Sequence, residues 1–90
     1  MAIRFIARHM VGGTGHEHIA SLRWVQEGSS QTESSTREDL VTWIRDKDGR
    51  GYVDINGTKA WVEVVSAVPP YLRTREDGVW TDNLLALPTN

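Results

Sequence analysis

The feature that most constrains this fold is a short amphipathic helix signal over residues 35–45. Its apolar residues recur at the three- and four-residue spacings that place side chains on one face of a helix; they are Leu40, Val41, Trp43 and Ile44. A helix of about three turns is only marginally stable by itself in water. The rest of the chain must therefore supply elements that cover its apolar face.

Both ends of this helix carry sequence signals. Ser35 stands three residues before Glu38, which is the spacing of a capping box: the serine oxygen accepts from a helix N–H and the glutamate returns to the serine N–H. Gly49 can take the left-handed conformation that commonly ends a helix. We therefore predict a helix that is capped by Ser35 and stopped by Gly49.

The segments on either side of the helix have the pattern of β-hairpins. Residues 2–10 and 18–26 alternate apolar and polar side chains, with Ile6 as an exception, and a glycine-rich turn joins them. Asn56 and Gly57 form the dipeptide most typical of a tight hairpin turn, between two further strand-like runs. We predict an α+β fold with a four-stranded antiparallel sheet, in the order strand, strand, helix, strand, strand, and the helix packed across one face.

Two segments fall outside this ββαββ core. Residues 28–36 are rich in Ser and Thr, and we interpret them as a flexible loop. Residues 71–88 contain Leu84, Leu85 and Leu87, which are too apolar to remain in solvent. We therefore expect an ordered but irregular C-terminal extension that folds back over the sheet, so that residues 1–90 form one small domain.

Composition excludes several classes of protein. A net charge of −2 without any run of basic residues disfavours general nucleic-acid binding. The absence of cysteine rules out disulfides and thiolate zinc sites. No apolar segment is long enough for a signal peptide or a membrane span, so we expect a cytoplasmic protein without membrane contact.

Four elements of the sequence together resemble a known family. They are the "YLRT" and "DNLLALP" segments of the tail, the "AWVEVV" strand and the capped helix ending in "WI". The chain resembles the small bacterial and phage proteins catalogued as domain of unknown function 3892. This resemblance covers nearly the whole chain and implies a small stand-alone domain. It brings no assigned activity and no cofactor.

The sequence contains parts of two metal-binding patterns, and neither is complete. The segment that starts at Asp46 has part of the spacing of a calcium loop, but Arg50 and Gly57 stand where two oxygen ligands are required. The histidines lie beside a glycine-rich turn that does not preorganise a site; they are His9, His16 and His18. We therefore predict no metal and no cofactor.

The tail carries the residue types that dominate binding hot spots, which are aromatic side chains and arginine. The candidate partner-binding residues are Tyr71, Arg73, Arg75, Trp80, Asp82 and Asn83. In the competing interpretation the two aromatic residues only anchor the tail, while the arginines pair with Glu76 and Asp77. We predict a non-enzymatic protein-interaction module, which if phage-encoded would modulate a host protein, with a partner that the sequence does not identify.

Two alternative functions remain open at the level of sequence. The first is a nucleic-acid-binding accessory protein, whose contacts would be Arg4, Arg8, Arg23, Arg73 and Arg75. Binding that depends on phosphate contacts would weaken steeply with salt, whereas a protein partner should survive moderate salt. The second is a small hydrolase, which would require a pocket that joins Asp82 to a histidine.

Overall fold

Over residues 2–76 and 78–89, the part of the chain that the structure describes, the computed structural model contains one α-helix and a sheet of seven strands. In chain order these elements are β1 (Ala2–Met10), β2 (Ile19–Gln26), β3 (Thr32–Thr36), α1 (Arg37–Asp46), β4 (Arg50–Ile55), β5 (Thr58–Val65), β6 (Tyr71–Glu76) and β7 (Val79–Thr81). Two short 3₁₀-helices, His16–His18 and Asn83–Ala86, follow β1 and β7. The predicted α+β class is confirmed, but the four-stranded, wholly antiparallel sheet is wrong.

The strands lie in the order β3-β2-β1-β4-β5-β6-β7. Both predicted hairpins are present, as the antiparallel pairs β1–β2 and β4–β5. They are joined through a parallel pair of β1 with β4, in which Ala2 is opposite Arg50 and Arg4 is opposite Tyr52. A parallel pair requires a long crossover connection, which the segment containing β2, β3 and α1 supplies. The sheet is therefore mixed.

The prediction of a loop over residues 28–36 is wrong for its second half, because Thr32–Thr36 forms β3 at one edge of the sheet. It pairs with β2 from Val25 opposite Thr32 to Ser21 opposite Thr36. An edge strand with little buried area needs no apolar alternation, and threonine is suited to a pleated surface. Its polar composition therefore concealed the strand.

The tail is more regular than predicted. Tyr71–Glu76 pairs with β5 as β6, from Trp61 opposite Arg75 to Val65 opposite Tyr71, and Val79–Thr81 then returns as β7. Leu84 is completely buried and Leu87 is nearly so. The tail therefore extends the sheet by two strands and contributes leucines to the core.

The sheet curves around a single core. Helix α1 packs against β2 and β3 near one edge and against β5 and β6 near the other, and the 3₁₀-helix His16–His18 also reaches β6. The buried cluster inside combines residues of the sheet, the helix and the tail: Ile3, Phe5, Ile19, Leu22, Leu40, Val41, Val53, Val62, Leu72, Leu84 and Leu87. We call the face of the sheet toward this core the inner face, and the opposite face the outer face.

The helix begins one residue later than its sequence signal indicates. Thr36 is the N-cap, and its hydroxyl oxygen accepts a hydrogen bond from the Asp39 N–H at 3.2 Å. Ser35 belongs to β3, and its hydroxyl oxygen accepts instead from the indole N–H of Trp24 at 2.9 Å. The predicted capping box of Ser35 and Glu38 is therefore wrong.

The C-terminal end of α1 also differs from the prediction. Asp48, not Gly49, takes the left-handed conformation, with φ of 54°. The Gly49 N–H donates to the Trp43 carbonyl at 2.9 Å. A Cβ at residue 49 would collide with the indole ring of Trp43. Glycine is therefore required here for close approach rather than for a left-handed turn.

Candidate functional site

A row of aromatic and arginine side chains crosses the outer face of the sheet. The pairing places Tyr52 opposite Trp61, Trp61 opposite Arg75, and Arg75 opposite Trp80. These residues alternate along their strands with inward-facing residues such as Ala60. We call Tyr52, Trp61, Arg75 and Trp80 the outer row. It forms one continuous line over β4, β5, β6 and β7.

Neighbouring members of the outer row are in direct contact, as expected for directly opposed residues on adjacent strands. The rings of Tyr52 and Trp61 meet edge to face, with centroids 5.3 Å apart and planes at 62°. The guanidinium carbon of Arg75 lies 5.1 Å from the centroid of the Trp80 ring. The row is therefore a packed structure rather than a set of independent surface side chains.

Two further cations cover the rings of the outer row. The guanidinium carbon of Arg50 lies 4.3 Å from the Trp61 ring centroid. The ammonium nitrogen of Lys59 lies 4.5 Å from the Tyr52 ring centroid. Each such contact stabilises an exposed site by about 0.5–1 kcal/mol. These contacts hold long, flexible side chains in place before any partner binds.

Acidic residues on the same side moderate the charge of this surface. Arg75 lies 3.8 Å from a carboxylate oxygen of Glu63, and Lys59 lies 3.9 Å from one of Glu27. Arg50 forms no ion pair with any carboxylate in the described ranges 2–76 and 78–89. The outer row thus presents both signs of charge around an aromatic centre.

The structure divides the six predicted partner-binding residues into two groups. Arg75 and Trp80 belong to the outer row, and Trp80 is 37% exposed. Tyr71 and Arg73 face the same side of β6, but Arg73 is already engaged. Its guanidinium donates to a carboxylate oxygen of Asp82 at 2.9 Å and to the Thr81 carbonyl at 3.1 Å.

The two remaining predicted residues, Asp82 and Asn83, lie at the start of the second 3₁₀-helix. Asp82 precedes the second 3₁₀-helix and holds Arg73, and Asn83 is the first residue of that helix. The expected pairing of the tail arginines with Glu76 does not form, since Arg73 pairs with Asp82 and Arg75 with Glu63. The other expected acidic partner, Asp77, lies outside the described residues.

Sequence reasoning missed two aromatic members of the outer row, Tyr52 and Trp61, together with the cations over them. A partial signal existed, because Trp61 stands between Ala60 and Val62 in the alternation of β5 and so had to face away from the core. Only the strand order shows that β4, β5, β6 and β7 bring these side chains into line with Arg75 and Trp80.

The structure brings Asp82 close to a histidine, as the hydrolase alternative required. His16 is buried at 7% exposure, and its Nε2 lies 3.8 Å from a carboxylate oxygen of Asp82. That nitrogen has no hydrogen-bond partner among the residues that the structure describes. Burial lowers the pKa of His16, and the nearby Arg73 guanidinium lowers it further, against the opposing effect of Asp82 and Glu17. The balance of these effects favours the neutral form of the imidazole.

The two threonine hydroxyls of the described β6–β7 pair are not arranged as nucleophiles. Thr74 is completely buried, and its hydroxyl shares a 2.6 Å hydrogen bond with the Thr81 hydroxyl. Both oxygens are thus committed to the β6–β7 pair. The arrangement of His16, Asp82 and Arg73 instead links the first 3₁₀-helix to β6 and to the residue that follows β7.

The histidines and the first-hairpin arginines occupy separate environments. His18, the first residue of the predicted strand over residues 18–26, lies instead with His16 in a 3₁₀-helix, and within residues 2–76 and 78–89 no three metal-ligating side chains converge. Arg8 donates to the Leu87 carbonyl at 2.9 Å, so it fastens the tail. Arg4 lies on the outer face opposite Tyr52, and Arg23 is exposed on β2.

Comparison with known proteins shows the family to which the chain belongs. A family model described as a protein of unknown function matches residues 2–88. The chain belongs to the DUF3892 family. The match runs from β1 to just beyond the second 3₁₀-helix, so the outer row lies wholly inside the DUF3892 domain. No curated protein and no solved structure matches the chain. Among its described helices, none is long and apolar enough to cross a membrane.

Proposed function

We propose that this DUF3892 domain is a non-enzymatic interaction module that binds a partner protein through the outer row. The observation that carries the proposal is the contiguous patch of Trp61, Arg75 and Trp80 on the face that α1 leaves uncovered. Tyr52 is only 5% exposed and supports this patch from beside Trp61. We further propose that the module acts in the cytoplasm and that its partner, in the case of a phage-encoded protein, is a host protein.

The residue types of the outer row support binding. Tryptophan, tyrosine and arginine are enriched among the few interface residues that provide most of the binding energy. Immobilising a flexible side chain at an interface costs about 0.5–1.5 kcal/mol. Here Arg75 is already placed between Trp80 and Glu63, so much of that cost is met in the free protein.

The charge of the surface supports a protein partner over a nucleic acid. Glu63 lies beside Arg75, and Glu27 lies beside Lys59, on the side that a phosphate backbone would approach. Phosphate neutralisation requires a concentrated basic face, and the whole chain has a net charge of −2. Nucleic-acid binding is therefore the alternative, with Arg4 and Arg75 as its best-placed contacts.

The test is partner capture from lysate with row variants and matched controls. Trp80→Ala and Arg75→Ala remove two members of the outer row. Arg23→Ala and Val11→Ala are the controls, since both of these residues are exposed and lie outside the row. We expect the same protein to be recovered with the wild type and both controls, and to be lost with both row variants.

Each captured sample is checked for folding by thermal unfolding, so that loss of binding is separated from loss of structure. Recovery of the same protein by folded Trp80→Ala and Arg75→Ala would contradict the proposal. If the captured material is instead removed by nuclease, the alternative function is favoured.

A further inference from the structure

A concave surface separate from the outer row lies on the inner side of the molecule, where α1 leaves part of the first three strands uncovered. This cavity measures about 560 Å³, within the usual range of small-molecule sites. Its lining combines two indoles, two buried apolar residues and two carboxylates: Trp24, Trp43, Ile3, Leu40, Asp39 and Asp48. We call it the tryptophan cleft. It shares no residue with the outer row.

We propose that the tryptophan cleft binds an organic ammonium ion, meaning a cation whose charge is carried by alkylated nitrogen on an apolar body. The proposal rests on the indoles, the cleft's apolar lining and its charge, and it is independent of the partner assigned to the outer row.

Each of the two indoles is held in place by a contact with a neighbouring residue. The Trp24 N–H donates to the Ser35 hydroxyl at 2.9 Å. Trp43 packs so closely on Gly49 that a Cβ there would collide with its fused ring bond. Within the described residues the two indoles make no ring contact with each other. Both rings line the cleft.

The apolar lining of the cleft suits the body of such a ligand. Ile3 and Leu40 are only 7% and 3% exposed, so they form a floor that offers no hydrogen bonds from their side chains. A hydrated metal ion or a phosphate would lose solvation on entering such a site. An alkylated ammonium loses little, and tryptophan is the aromatic side chain that attracts such cations most strongly.

The rim of the cleft supplies the complementary charge. Asp39 and Asp48 are exposed at the mouth, and neither carboxylate forms an ion pair within residues 2–76 and 78–89. Lys47 is also at the rim, so two negative charges face one positive charge. The remaining negative charge favours a cation over an anion or a neutral molecule.

The test compares choline with its neutral isostere, 3,3-dimethylbutan-1-ol, by two-dimensional NMR of the indole N–H signals. The chain has four tryptophans, each assigned by a Trp→Phe variant. We expect choline to shift the signals of Trp24 and Trp43 in a saturable way, while Trp61 and Trp80 on the outer face stay unchanged. The neutral isostere should shift none of them.

A double variant examines the role of charge. Asp39→Asn with Asp48→Asn should weaken choline binding about tenfold, as expected for the loss of two exposed charge contacts. Asparagine tolerates the left-handed backbone at residue 48, so the fold should persist. Glu38→Gln is the matched control, since it lies on the same helix outside the cleft and should leave binding unchanged.

A third ligand distinguishes two sources of an organic ammonium group, a methylated lysine side chain and a free small molecule. Tighter binding of Nα-acetyl-trimethyllysine methylamide than of choline identifies a methylated lysine side chain, and the reverse identifies a free small molecule; both outcomes support the proposal. It is overturned if choline shifts neither Trp24 nor Trp43, if the neutral isostere shifts them equally, or if the double variant binds choline as tightly as Glu38→Gln does.

Discussion

At the start of α1, two neighbouring hydroxyls have different partners and therefore different energetic roles. The Thr36 hydroxyl satisfies a backbone N–H of the first helical turn. The Ser35 hydroxyl anchors the indole of Trp24 across β2 and β3. One position thus begins the helix, and the other fixes a wall of the tryptophan cleft.

Thr36→Ala should lower the free energy of unfolding by about 1 kcal/mol, because it removes the N-cap hydrogen bond. Urea unfolding followed by circular dichroism measures the change. Ser34→Ala, at an exposed position of the same strand, is the control and should have little effect. An equal loss in both variants would mean that the threonine hydroxyl does not cap the helix.

The buried imidazole of His16 should make stability depend on pH. Its pKa is lowered in the folded protein, because burial and the Arg73 guanidinium disfavour the charged form, whereas the unfolded chain keeps the ordinary pKa of 6.5. The unfolded state therefore binds more protons, so stability is full above pH 6.5 and falls as the pH drops through that value toward the lower folded pKa.

This dependence is measured by urea unfolding between neutral and mildly acidic pH. His16→Gln should flatten the decline, since glutamine does not titrate. His9→Gln, at an exposed position of β1, should retain it. A decline of the same slope in all three proteins would assign it to other groups.

The capping box failed as a prediction for a reason visible at these residues. Ser35 and Thr36 are chemically similar, and each is followed three residues later by an acidic residue, Glu38 or Asp39. Pairing with β2 places Ser35 opposite Leu22 and Thr36 opposite Ser21, so Thr36 is the last residue of β3 and the residue directly before α1. The pairing of β3 with β2 thus determines which of these two adjacent residues caps the helix. The local sequence alone could not distinguish them.

At the scale of elements, the sequence predicted the strands that pair with the next strand-like segment along the chain. Both hairpins pair consecutive segments, and Asn56 and Gly57 adopt the positive φ values of 53° and 85° that their turn requires. Ile6, the exception in the alternation of β1, lies at an irregularity of the pairing between Phe5 and Ala7. Patterns within a single segment could therefore be recognised without knowledge of the sheet.

The elements that escaped prediction are β3, β6 and β7. Strand β3 lies at a sheet edge with exposed side chains, so burial imposes no alternation. Strand β6 does alternate, with Leu72 and Thr74 inward, but the buried threonine disguises its inner face. Strand β7 spans only three residues. These three segments are recognised as strands from their pairing with neighbouring strands and not from their own sequence patterns.

The second 3₁₀-helix should contribute strongly to stability through one residue. Leu84→Ala removes a completely buried side chain that closes the core, and we expect a loss of about 2–5 kcal/mol in the free energy of unfolding. Leu85→Ala is the matched control, since Leu85 is only half-buried in the same turn. Equal losses would show that the tail does not close the core through Leu84.

At the scale of the whole molecule, two surfaces face opposite sides of one curved sheet. Of the outer row, Arg75 and Trp80 were predicted as partner-binding residues from residue type alone, and that role stays a prediction. Tyr52 and Trp61 were not, because only the strand order places β4 and β5 beside the tail. The tryptophan cleft also escaped prediction, since it combines residues of the helix and of three separate strands.

Salt dependence should distinguish the classes of partner for the outer row. Raising salt from about 50 to 200 mM weakens a complex with six to ten phosphate contacts by roughly 10³–10⁵. We expect the complex with a protein partner to weaken by less than about tenfold over that range, since exposed charge pairs contribute little. Affinity measured by calorimetry at both concentrations decides between them, and a steep loss would favour nucleic acid.

The parallel pairing of β1 with β4 also affects when the chain can fold during synthesis. One edge of β1 pairs with β4, which is synthesised some fifty residues later, so that edge stays uncovered until β4 has been made. The core is complete only when Leu84 and Leu87 have also been synthesised. Structures whose contacts are distant in sequence form slowly. We therefore expect the domain to complete its fold only after nearly all of it has left the ribosome, with the first hairpin exposed to chaperones until then.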